Sequence, residues 1–241
     1  MTPARERIAW AADVPLDEAL RLWRLLQPHI GVVKVGLSLF VEHGPAAVRA
    51  FRDAGAQVFL DLKLHDIPNT VELAAARAST LGAALLTVHA SGGEAMLRAA
   101  VTGAGEGAAK AGGVAPPRVL AVTALTSLDD GAVGALGFGS SAAGMAERLA
   151  EAAVRAGVGG LVCSAREVPV LRSRYPELFL CTPGIRLPGA ATGDQLRTET
   201  PSGAIRAGAN LLVVGRPLHG APDPAAAARV LEAEVASTLR S

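Results

Sequence analysis

The chain has 241 residues, half of them hydrophobic and 19% charged, with 23 Lys and Arg against 22 Asp and Glu. That composition can build a packed core and excludes a disordered chain. The near-zero net charge argues against a protein that neutralises nucleic-acid phosphates, and two Trp, one Tyr and five Phe are too few for a base-stacking platform. Two cysteines cannot form a disulfide framework. No long apolar stretch follows Met1-Thr2-Pro3-Ala4-Arg5-Glu6-Arg7, and no run approaches the roughly 18 residues of a membrane span. The expectation is a soluble, cytoplasmic globular protein that binds neither nucleic acid nor membrane.

In chain order, strand candidates are Ile8 to Ala12, Val32 to Val35, Gln57 to Leu62 and Leu85 to His89. Arg118 to Val122, Gly160 to Cys163, Leu178 to Cys181 and Leu211 to Val214 follow. Helical patterns sit between them: Leu16 to Gln27, Pro45 to Ala54, Val71 to Leu81, Glu94 to Lys110, Ala142 to Ala156, Glu167 to Tyr175, Pro201 to Ala207 and Pro224 to Leu239. Eight strands, each followed by a helix, spell a (β/α)8 TIM barrel. A doubly wound open sheet uses the same units and is the alternative. No linker or composition break divides the chain, so residues 1–241 read as one domain. Gly103 to Pro117, rich in Gly, Ala and Pro, reads as a frayed helix end and a loop without function.

Several motif classes are missing. None of the three lysines follows a glycine, so there is no P-loop. His-Glu-x-x-His, Cys-x-x-Cys and Gly-x-Ser-x-Gly do not occur. Gly137-Phe138-Gly139 begins like a dinucleotide fingerprint, but the next glycine, Gly144, falls at the wrong spacing, and the segment reads as a loop.

The informative feature is charge at strand ends. Side chains alternate faces along a strand, so Val58, Leu60 and Leu62 face one way and Phe59, Asp61 and Lys63 the other. The apolar set belongs under the helices, which aims Asp61 and Lys63 into the barrel mouth. Buried charges of this kind must be paired. Asp66 lies in the loop before Pro68, a residue suited to the first helical position. Asp13, Lys34, His89, Thr123, Thr126, Arg186, Gly215 and Arg216 lie in or just beyond the other strands. Polar groups at the carboxyl ends of barrel strands converge on the face that carries active sites. Singly, each has a bland reading: an Asp as a turn residue, a Lys on an exposed edge, His89 as a structural hydrogen-bonding histidine. Together they make a site. Cys163, Cys181, Trp10 and Trp23 read as packing. Gly184 and Arg186 after strand seven, with Gly215 and Arg216 after strand eight, form a candidate phosphate cradle. Glycine admits backbone N–H groups, and arginine forks onto phosphate oxygens.

The run Phe59-Leu60-Asp61-Leu62-Lys63-Leu64-His65-Asp66-Ile67-Pro68-Asn69-Thr70 closely resembles the signature of the orotidine 5′-phosphate decarboxylase family. The resemblance extends over almost the whole chain, through Asp13-Val14-Pro15, Lys34-Val35-Gly36, Val88-His89-Ala90-Ser91-Gly92-Gly93, Val122-Thr123-Ala124-Leu125-Thr126-Ser127, Val162-Cys163-Ser164-Ala165, Thr182-Pro183-Gly184-Ile185-Arg186, Gly193-Asp194-Gln195 and Gly215-Arg216-Pro217. Ala12 stands where a larger apolar residue is usual, a small departure.

This resemblance implies decarboxylation of orotidine 5′-monophosphate to UMP and CO2, the last step of de novo pyrimidine synthesis. It implies no cofactor, no metal, and a homodimeric barrel with shared active sites. Carried over, Lys63 is the proton donor within a network of Lys34, Asp61, Lys63 and Asp66, with Asp66 serving the partner subunit's site. Asp13, and Thr70 from the partner, would reach the ribose. Ser127 would read the pyrimidine edge, with Thr126 and Pro183 among the substrate contacts. Gln195, Arg186, Gly215 and Arg216 would hold the phosphate, with Gln195 also near the base. Two rivals stay open. A sister metal-dependent decarboxylase of a keto-sugar phosphate would share Asp61, Lys63 and Asp66 but place a metal-binding acid where Lys34 stands. A non-catalytic binding protein could keep the barrel alone.

Overall fold

A computed structural model describes residues 2–112, 114–139, 141–186 and 199–240. Eight strands run parallel and close on themselves: β1 (Ile8–Ala11), β2 (Val32–Val35), β3 (Gln57–Leu64), β4 (Leu85–His89), β5 (Arg118–Val122), β6 (Gly160–Val162), β7 (Phe179–Thr182) and β8 (Leu211–Val214). Closure is made by β1 against β8, with Ile8 opposite Leu212 and Trp10 opposite Val214. This is the (β/α)8 barrel, and closure settles the choice against an open sheet.

The strands are apolar on both faces because each face meets a packed layer. Ile8, Trp10, Val33, Val58, Leu60, Leu86 and Val88 belong to the outer core beneath the helices. Ala9, Ala11, Val32, Phe59, Leu85, Leu120, Cys181, Leu211 and Val213 fill the interior. Interior filling of this kind makes the barrel a packed core rather than a pore.

Eleven α-helices surround it among the described residues: α1 (Leu16–Leu26), α2 (Leu37–His43), α3 (Pro45–Asp53), α4 (Pro68–Ser79), α5 (Gly93–Lys110), α6 (Asp130–Ala135), α7 (Ala142–Arg155), α8 (Val168–Arg174), α9 (Pro201–Ala207), α10 (Arg216–His219) and α11 (Pro224–Thr238). The short α2, α6 and α10 are additions to the expected pattern. Their four to seven residues are too few to show a helical period. Local signals remain: Asp129 accepts the Ala132 N–H at 2.8 Å to start α6, and Gly44, at φ 54°, separates α2 from α3. Pro68 opens α4, three residues before the expected start.

The reading of Gly103 onward as a frayed helix end is corrected. Helix α5 continues through Lys110, and Gly103 and Gly107 are buried against α4. A Cβ at Gly103 would lie 2.1 Å from the Glu72 carbonyl oxygen, and one at Gly107 2.1 Å from that of Ala76. Ser79 donates its hydroxyl to the Ala104 carbonyl at 2.6 Å across the same contact. Glycine weakens a lone helix, but here it lets two backbones touch, and the tertiary contact offsets the propensity loss. Among the described residues of that stretch, only those after Lys110 are turn or loop.

Candidate active site at the barrel mouth

A cavity of about 520 Å³ opens at the carboxyl ends of the strands. Its charged floor is built from two neighbouring strands. Lys34 is on the inward face of β2, two residues from the interior Val32, and Asp61 is two residues from the interior Phe59 on β3. Asp61 is only 7% exposed. Its Oδ2 accepts from Lys63 Nζ at 2.7 Å and lies 3.3 Å from Lys34 Nζ. Lys34 Nζ is also 3.7 Å from Asp13 Oδ1, at the end of β1. Gly36 makes room for this ammonium, since a Cβ there would approach Lys34 Nζ to 2.9 Å. The result is an alternating row, Asp13, Lys34, Asp61, Lys63. Burial pushes the Asp61 carboxyl up, but the charges of Lys34 and Lys63 with hydrogen bonds from Lys63 and Thr87 outweigh it, and the group titrates below its ordinary value.

Simple alternation does not deliver Lys63. Strand β3 bulges between Leu60, which pairs with Leu86, and Leu64, which pairs with Val88. At the bulge Lys63 takes φ 51°, the one positive φ of a non-glycine among the described residues. Its N–H donates to Thr87 Oγ1 at 2.9 Å, and Thr87 Oγ1 donates to Asp61 Oδ1 at 2.8 Å.

The candidate phosphate cradle follows β7 and β8, on the other side of β1 from β2 and β3. Pro183, Gly184 and Arg186 follow β7, and Gly215 and Arg216 follow β8. Gly184 sits at φ 81°, a conformation that suits glycine. Phe59, Val122, Ala124, Val162 and Val213 add apolar lining to the same cavity. A row of charges, two arginines and an apolar lining in one cavity suit a phosphorylated ligand that also carries an apolar or ring portion.

Residues 6–231 match the family described as orotidine 5′-phosphate decarboxylase / HUMPS. The chain belongs to this family. A relative named orotidine 5′-phosphate decarboxylase from Anaeromyxobacter sp. (strain K) is 54% identical over 230 residues, 95% of this chain and 97% of its own. One of the same name from Thermobifida fusca (strain YX) is 49% identical, covering 96% of each chain. The crystal structure of orotidine 5′-phosphate decarboxylase from Lactobacillus acidophilus superposes with a TM-score of 0.82 at 35% identity, over 95% of this chain and 99% of its own.

Within this family member, Lys34, Asp61, Lys63, Asp13, Thr126, Pro183, Arg186, Gly215 and Arg216 all line one cavity. Asp66, Thr70 and Ser127 do not. Asp66 is exposed beyond β3, its Oδ1 accepting the Ile67 N–H at 2.6 Å. Thr70 is exposed on the first turn of α4, and Ser127 is exposed after β5. Gln195 lies outside the described residues. His89 sits beside the cavity with its ring 5.4 Å from that of His65. Burial, then His65 and Lys63, hold His89 below its ordinary value against the pull of Asp61.

Two polar residues at the mouth were not singled out in the sequence. Thr87 carries the hydrogen bonds just described. Its signal was present, because Leu85 faces the interior and alternation then turns Thr87 inward. His219 lines the cavity and accepts from Trp10 Nε1 at 3.4 Å, so Trp10 does more than pack. Burial holds His219 below its ordinary value. Nothing local marks His219, since the two residues lie 209 positions apart. Cys163 and Cys181 are buried as expected, and Cys163 also borders the cavity.

Proposed function

We propose that the protein converts orotidine 5′-monophosphate to UMP and CO2, the closing step of pyrimidine nucleotide synthesis, without a cofactor and with Lys63 as proton donor. The observation that carries this reading is the Lys63–Asp61–Lys34 row at the cavity floor, with Nζ–Oδ2 distances of 2.7 and 3.3 Å. The relatives' shared name supports the same reaction.

Loss of CO2 leaves an electron pair on a ring carbon that no carbonyl or cofactor delocalises. A fixed ammonium beside that carbon stabilises the developing charge, because its field is already oriented when the charge appears. The same group then delivers a proton from Nζ to the carbon, leaving a neutral amine that solvent reprotonates. Asp61, bridging both lysines, holds Lys63 in place. Arg186, Gly215 and Arg216 would grip the 5′-phosphate, and this remote binding energy holds the ring against the charged floor. Asp13 would hold ribose hydroxyls, with Thr126 and Pro183 along the ring and Ser127 and Gln195 closing over base and phosphate. The exposed Asp66 and Thr70 serve the partner's site in a homodimer. We read residues 1–241 as one domain that works in the cytoplasm. No described helix is long and apolar enough to cross a membrane.

The rival reading is the metal-dependent decarboxylase of a keto-sugar phosphate. It needs an acid on β2 for its metal, and Lys34 occupies that place with its ammonium 3.3 Å from Asp61. The test is the absorbance change of orotidine monophosphate. Lys63→Ala should lose nearly all turnover yet still bind UMP, and wild-type activity should survive exhaustive EDTA treatment. Near-normal kcat in Lys63→Ala removes the donor assignment. EDTA inactivation reversed by Mg2+ favours the rival.

A further inference from the structure

We propose that Thr87 is a positioning residue that holds both ends of Lys63, backbone and ammonium, on the Asp61 carboxylate. The inference rests on the reading of Lys63 as proton donor.

Thr87 is fully buried, and a hydroxyl has a single proton to give. Its oxygen accepts the Lys63 N–H, a group that can only donate, so its own proton goes to Asp61 Oδ1. The direction of the chain is therefore fixed, from Lys63 N–H to Thr87 to Asp61. The two carboxylate oxygens then have separate duties. Oδ1 is held by Thr87, while Oδ2 receives Lys63 Nζ and faces Lys34. Rotation of the carboxylate breaks one set or the other.

The backbone argument is independent. The bulge takes the Lys63 N–H out of the β3–β4 ladder, because Leu64 and not Lys63 pairs with Val88. Out of the ladder, this half-buried N–H takes the Thr87 hydroxyl as its partner. Positive φ at a lysine persists only where its surroundings over-determine it. The Thr87 hydroxyl supplies that determination, from a β-branched side chain whose χ1 is stiff. One hydroxyl thus closes a loop in which the lysine's main chain and its ammonium meet the same carboxylate.

Thr87→Val keeps the shape and removes the hydroxyl, and Thr87→Ser keeps the hydroxyl. In Thr87→Val, kcat should fall about ten- to hundredfold, the cost of a small misplacement of a reacting group, with KM for orotidine monophosphate little changed. The acid limb of the kcat–pH profile should move to higher pH, since Asp61 loses a donor that favours its charged form. The other groups that act on or feel Asp61, namely Lys34, Lys63, His89 and Cys181, are unaltered in these variants. Thr87→Ser should restore both kcat and the acid limb. If Thr87→Val does not fold, Thr87→Ala takes its place with the same expectations. Wild-type kcat in the hydroxyl-less variant overturns the proposal. So does a loss of kcat with an unmoved acid limb, or a loss that serine does not rescue. Lys63→Ala, run alongside, separates the two readings. If it retains turnover, the donor assignment fails. If it is inactive while Thr87→Val is unimpaired, only the role of Thr87 fails.

Discussion

Asp61 is the residue on which the floor of the cavity turns. It is buried among two cations, and its carboxyl titrates below the ordinary 3.8 because Lys34 and Lys63, with two hydrogen bonds, outweigh the burial that would raise it. A carboxyl depressed in the folded state contributes stability wherever the unfolded chain is also ionised. That contribution is complete above 3.8 and is lost as the pH falls through the lower folded value. The stability difference between wild type and Asp61→Asn should therefore shrink as the pH drops below 3.8, measured by urea unfolding at a series of acid pH values. A difference that stays constant or widens across that range would show that Asp61 is not held in its charged form by the fold. Comparison with Asp61→Asn cancels the titration of the other carboxyls, which both proteins share.

At the scale of elements, helices α4 and α5 pack through glycine. Alanine at Gly103 would gain about 1 kcal/mol of helix propensity. It would also drive a methyl into the Glu72 carbonyl at 2.1 Å. The obstacle is backbone, so it cannot swing aside. Overpacking of this kind costs about 1–3 kcal/mol or more, and the clash wins. Gly103→Ala should lower the unfolding midpoint. Gly105→Ala, on the same helix at an exposed position where a Cβ meets nothing within 4 Å, should raise it by up to about 1 kcal/mol. Thermal or urea unfolding of the pair checks the argument, because a lowered midpoint in both would point to helix strain rather than to the α4–α5 contact. The sequence announced these glycines as breakers, and by propensity alone they are. What it did not show is that small residues on α5, Ala100, Gly103, Ala104 and Gly107, are buried in the packed helix face.

The whole molecule poses the question of where a complete site resides. Asp13, Lys34, Asp61 and Lys63 meet in one mouth, whereas Asp66 is exposed outside it, bonded only to its own loop through Ile67 among the contacts described. If Asp66 completes the partner's site, Lys63→Ala and Asp66→Ala homodimers should each be nearly inactive. Mixed under conditions that allow subunit exchange, they form heterodimers in which one site collects both lesions and the other neither. With equal amounts and random exchange, half the dimers are mixed, so activity should climb to about a quarter of wild type. A mixture that stays inactive, with exchange verified by a tagged subunit, would place Asp66 in its own chain's site or in another role.

Much of this architecture was legible in the residues because the rules that write it are local. A period of two placed Phe59 and Asp61 on one face of β3, and the order of strands and helices spelled the barrel. The same rule, carried along β4 from Leu85, would have turned Thr87 inward as well. The sequence thus determined which residue types reach the mouth and which strands bring them. The tertiary structure decided how they meet. The bulge that lifts the Lys63 N–H out of the ladder exists only in the register of β3 against β4. The Trp10–His219 contact needs the barrel to close across 209 positions. The glycines of α5 become an advantage only when α4 lies against them. Periodicity is a property of neighbours along the chain. Register, closure and close approach depend on partners distant in it, and their free energies appear only when those partners are packed together.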